Sequence, residues 1–89
     1  MAGISFTLRS GVKVYINTVF EAVYSGEAKE VVLPGDEGEL SIMDFHQPIV
    51  CRLTKGAIKI ISRGNTRSIP IIDGIAHMEG DMLKVMAEV

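Results

Sequence analysis

Apolar and polar residues alternate along most of this 89-residue chain. Ile4, Phe6 and Leu8 alternate with Ser5, Thr7 and Arg9; after Ser10-Gly11, Val12, Val14 and Ile16 alternate with Lys13, Tyr15 and Asn17. A period of two puts the apolar side chains on one face of a strand, and two such runs around a glycine predict a hairpin. Val19 to Val32 is mixed in character. Phe20, Val23, Tyr24 and Glu27-Ala28-Lys29-Glu30 suit a helix, but Gly26 costs about 1 kcal/mol there relative to Ala. Val31-Val32-Leu33 before Pro34 favours extended backbone. The expectation is two short strands on either side of Ser25-Gly26. Leu33 to Leu40 is expected to be a turn-rich acidic loop, because Pro34-Gly35 presets a reversal.

Downstream the alternation is cleaner. Ile49, Cys51 and Leu53 alternate with Val50, Arg52 and Thr54 up to Lys55-Gly56, and Ile58 and Ile60 flank Lys59. Arg63-Gly64-Asn65 predicts a tight turn into Thr66 to Ile72, whose Pro70 lacks a ladder donor and belongs on an edge or at a bulge. Ile75 to Met78 and Leu83 to Ala87, around Glu79-Gly80-Asp81, predict a final hairpin. Turn signals every 8 to 12 residues or so are the pattern of a sandwich or barrel. The fold class is all-β: a small β-sandwich of about ten short strands in two packed sheets.

Composition agrees. Nine Val and eleven Ile favour pleated surfaces. A hydrophobic content of 47% excludes intrinsic disorder, and the length supports one domain spanning residues 1–89, with 1–12 as a possible N-terminal extension or extra strand. At this size the core is thin, so a supporting partner is expected. A net charge of −2 offers no basic excess for nucleic acid. The single cysteine, Cys51, fits a reducing compartment. No apolar run reaches the ~18 to 20 residues that cross a bilayer, so a soluble, cytoplasmic domain is expected.

Candidate catalytic groups are few. His46 and His77 lie far apart and, with Cys51, lack the close spacing of a zinc site. Cys51 reads as a small core residue, and Met78, Met82 and Met86 on the last hairpin suit core filling or, as flexible sulfur-containing side chains, a partner interface. No phosphate-binding glycine loop or nucleophile elbow is present. Asp36, Glu37 and Glu39 are too closely set for a calcium loop, and an exposed turn seldom splits the pKa values of a catalytic pair. That leaves a solvated acidic turn, or one that docks electrostatically on a basic or amide-rich partner.

Gly35-Asp36-Glu37-Gly38-Glu39-Leu40-Ser41-Ile42, followed by His46-Gln47-Pro48-Ile49, resembles the N-terminal domain of F-type ATP synthase epsilon subunits. That family carries Gly-x-Glu-Gly-Glu-Leu-Gly-Ile and then Pro-Gly-His-Ala-Pro-Leu at this spacing. Tyr24-Ser25-Gly26, Lys55-Gly56, Asp73-Gly74 and the closing Leu83 to Glu88 add weaker matches, from about Val14 to the end. Asp44-Phe45 replaces the family's Pro-Gly, Met1 to Val12 has no clear counterpart, and the family's C-terminal helices are not in this sequence.

The resemblance implies a ten-stranded sandwich acting as a non-catalytic rotor subunit without cofactor or metal. It would couple the gamma subunit to the membrane c-ring during ATP synthesis and proton transport. By motif position Glu37, Gly38 and Glu39 face the c-ring, and His46 lies in a loop toward gamma. The location implied is the cytoplasmic face of the cell membrane, peripheral and without insertion. Two other readings stand beside it: a free-standing β-sandwich adaptor using the same acidic edge, and a small metal-dependent enzyme using His46, His77 and Cys51.

Overall fold

The computed structural model describes residues 11–43 and 47–89. Nine strands and no helix are found among the described residues. They are β1 (Val12–Asn17), β2 (Ala22–Ala28), β3 (Glu30–Gly35), β4 (Gly38–Ile42) and β5 (Ile49–Leu53), then β6 (Gly56–Ser62), β7 (Asn65–Ile71), β8 (Asp73–Glu79) and β9 (Met82–Glu88). The expected strands from Ile49 onward all form. Pro70 sits on β7, at the end of the sheet, where its missing donor breaks no ladder.

The ladder runs β2-β1-β9-β8-β5-β3-β6-β7, with β4 branching from β3. All its pairs are antiparallel except β1 with β9. The layers of the sandwich are thus parts of one continuous sheet that curls back on itself. Its ends meet. The Arg67 guanidinium of β7 stands 5.4 Å from the Tyr24 ring centroid of β2, and beside it Ser62 Oγ of β6 donates to the Glu27 carbonyl of β2 at 3.4 Å.

The inward faces enclose one apolar core. Val12, Val14 and Ile16 of β1 meet Leu83 and Val85 of β9, Met78 of β8, and Ile58 and Ile60 of β6, all buried. No polar or charged residue is buried among the described residues. The alternation that predicted the strands is therefore the alternation that fills the core.

Two expectations change. Ser25-Gly26 is no break: it lies inside β2, paired with Tyr15 and Val14, and the chain bends instead at Lys29. A Cβ on Gly26 would stand 3.0 Å from the Tyr24 hydroxyl, so the missing side chain leaves room for the ring. Pro34-Gly35 does not reverse the chain either. Both continue β3, with Pro34 opposite Glu39 and Gly35 opposite Gly38, so the acidic loop shrinks to a two-residue turn at Asp36-Glu37. β1 pairs with β2 on one side and with β9 on the other. The hairpin expected between 4–8 and β1 falls on residues that lie outside the described ones.

Candidate functional site

Of the expected docking residues, Glu37 occupies the β3–β4 turn and Gly38 and Glu39 open β4. Asp36, Glu37, Gly38 and Glu39 are all exposed. Leu33 pairs with Leu40 and Val31 with Ile42 on the core side, so Glu39, opposite Pro34, projects from the outer side. His46, expected near this corner, lies outside the described residues.

The hairpin is pinned at its base. Asp36 N–H donates to the Arg52 carbonyl at 3.1 Å, and Thr54 N–H donates to the Pro34 carbonyl at 2.8 Å. Two glycines allow this close approach. A Cβ on Gly35 would stand 2.7 Å from the Gly38 carbonyl oxygen and 3.4 Å from Cys51 Sγ, and one on Gly56 would stand 2.9 Å from Pro34 Cβ. On the other side of the hairpin the Ser41 hydroxyl donates to the Glu30 carboxylate. The acidic tip is a rigid corner of the sheet, not a swinging loop.

Cys51 lies beneath this corner, packed against the core and half-buried, much as its position in the alternation suggested. Burial, reinforced by the charges of Asp36 and Glu37, pushes its thiol up from an ordinary value of 9.0. The folded chain therefore holds the thiol proton more tightly than the unfolded chain. That contribution to stability is complete below the unfolded thiol pKa and is lost as pH rises through the folded one. Iodoacetamide should alkylate Cys51 several-fold more slowly in the folded chain than in denaturant, and the fall in stability above about pH 9 should be smaller in Cys51→Ser. Equal alkylation rates would contradict the placement.

His77 does not join Cys51. Val50 pairs with His77 and Cys51 with Ala76; the first pair is exposed, whereas Cys51 and Ala76 face the core. The two candidate ligands thus point to opposite faces of one sheet. No group of three His, Cys, Asp or Glu side chains is placed to hold a metal ion among the described residues.

Sequence reasoning did not single out the second surface. On the outer side of β8 and β9, Ile75 pairs with Met86, both about half exposed (54% and 51%). With the β1–β2 turn and Val89 they line an open groove of about 570 Å³, to which Arg52 also contributes. Phe20 projects from that turn, 91% exposed. Thr18 fixes the turn: its Oγ1 accepts from Phe20 N–H at 3.0 Å and Glu21 N–H at 3.1 Å, while its own N–H donates to the Glu21 carbonyl at 2.8 Å. Of the three late methionines, for which core filling and a partner interface were both open, Met78 fills core, Met82 is half-buried and Met86 faces this groove. The available signal was phase: Val50, Ile75 and Met86 are apolar residues at outward positions of their strands.

The family described as ATP synthase, Delta/Epsilon chain, beta-sandwich domain matches residues 11–89. The ATP synthase epsilon chain of Bordetella petrii is 39% identical over 69 residues, 76% of this chain and 49% of that one. The Bordetella avium epsilon chain is 38% identical over the same shares of the two chains. The chain thus spans about half the length of the curated relatives it matches. A chain of the Euglena gracilis mitochondrial ATP synthase, solved as OSCP/F1/c-ring in rotational state 1, superposes with a TM-score of 0.82 at 16% identity. The match covers 89% of this chain and 51% of that one. A chain of the Tetrahymena thermophila mitochondrial ATP synthase, solved as central stalk/c-ring, gives 0.73 at 13% identity, covering 88% and 63%. At those identities the two structures establish the fold.

Proposed function

Because the chain belongs to the ATP synthase delta/epsilon β-sandwich family, we propose that it acts as a non-catalytic central-stalk subunit joining the gamma subunit to the c-ring. The acidic corner at Glu37, Gly38 and Glu39 seats on the polar loops of the ring, and the apolar side with Phe20, Ile75 and Met86 grips gamma. His46 belongs to the loop on the gamma side. The subunit sits peripherally on the cytoplasmic face of the membrane; none of the described residues forms a helix long and apolar enough to cross one.

One observation carries this reading. The two surfaces share a strand: the Arg52 carbonyl on β5 accepts the hydrogen bond that pins the acidic turn, and Arg52 also lines the groove. A force applied at Glu39 passes into β5 and across the β5–β8–β9 ladder to the groove without crossing a loop. A packed β-sandwich transmits such a force because its close-packed core deforms little. The two surfaces also differ in chemistry as the task requires. A charged corner sets register on a ring of repeated polar loops, and apolar burial holds the more permanent contact.

Tagged chain recovered from its own membranes under mild detergent should bring down the gamma and beta subunits in fixed proportion. Capture of intact chain with neither subunit overturns the assignment.

A further inference from the structure

The groove carries a charge pattern that apolar docking alone does not explain. Asp73 on β8 and Glu88 on β9 are direct cross-strand partners on the outer side, in line with Ile75 and Met86. Like charges placed directly opposite destabilise a ladder. Neither carboxylate has an ion-pair partner among the described residues, and Glu21 on the facing turn has none either. All three are exposed and line the groove, where Arg52 is the one cationic side chain among the described residues. The rim is therefore acidic, and the floor is apolar.

We infer that this groove receives a cationic amphipathic segment of its partner, whose lysines or arginines neutralise Asp73, Glu88 and Glu21 while its apolar face packs on Phe20, Ile75 and Met86. The inference rests on the assignment of this side to the gamma subunit and specifies the chemistry that gamma brings. Free in solution, the chain holds two carboxylates in an unfavourable pair. Docking relieves that pair, so part of the binding energy comes from a repulsion already built into the fold. Phe20, held by the Thr18 turn, enters with little ordering cost, as an anchor residue does.

The test uses the whole chain and F1 stripped of this subunit. The paired change Asp73→Asn with Glu88→Gln should raise the melting temperature of the free chain and weaken its binding to stripped F1 about tenfold. The same change should flatten the salt dependence of binding between about 0.02 and 0.2 M. A residue of purely structural importance would move stability and affinity in the same direction. Phe20→Ala should weaken binding about thirtyfold or more and leave salt dependence intact. Should the acidic double variant bind as tightly as wild type with the same salt slope, while Phe20→Ala still loses affinity, the cationic partner is wrong and the gamma-facing side stands. If Phe20→Ala also binds normally, this side is not the gamma contact and both readings fall.

Discussion

Truncating Leu83 to Ala should lower the melting temperature of the chain by roughly 15–25 °C, the consequence of losing about 3 kcal/mol in a domain of this length. Leu83 is fully buried on β9, opposite Val14 of β1 on one side and Met78 of β8 on the other, and both of those are fully buried as well. The truncation removes apolar area and leaves a cavity where the parallel β1–β9 pair meets the β8–β9 hairpin. A domain of this size holds about 5–10 kcal/mol in total, so one such change takes a large share of it. The matched control is Ile75→Ala, about half exposed on the same hairpin, which should change stability by no more than about 0.5 kcal/mol. Thermal unfolding followed by circular dichroism compares the two. Equal, small shifts would mean that the core does not pass between β1 and β8.

The contrast between Leu83 and Ile75 also shows what could be read from the sequence. Strands from Ile49 onward follow from strict alternation, because each has one wet and one dry face and a one-residue slip would reverse them. The β3–β4 hairpin was foreseen only as a loop. Pro34 and Gly35 carry strong turn signals, yet here both serve close packing: Gly35 lets the strand lie against Cys51, and Pro34 packs on Gly56. Ser25-Gly26 misled for a related reason, since Gly26 yields its side-chain space to Tyr24. In each case a residue with a known local preference is fixed by a neighbour distant in sequence or aligned on the same face, which a single sequence does not display.

The acidic corner was legible by motif and by charge, and its residues do stand together on one exposed edge. What the sequence did not reveal was its stiffness, which comes from backbone hydrogen bonds to β5, or its connection through Arg52 to the groove. The groove stayed hidden because its apolar residues come from the β1–β2 turn, from β8 and from β9, brought together only by the parallel pairing of β1 with β9 and the closing hairpin.

Charge at Glu39 tests whether that rigid corner does the work proposed for it. Glu39 is exposed at the start of β4, so Glu39→Lys should change the stability of the chain by no more than about 0.5 kcal/mol. On the ring loops proposed as its seat, the change puts a cation where a carboxylate docks, and a misplaced charge at an interface is strongly unfavourable. The decisive measurement is proton pumping per ATP hydrolysed in membranes whose ATP synthase carries Glu39→Lys, with retention of the variant subunit checked by immunoblot. A several-fold fall in pumping with the subunit retained is the predicted result; undiminished pumping with the subunit retained would contradict the coupling role.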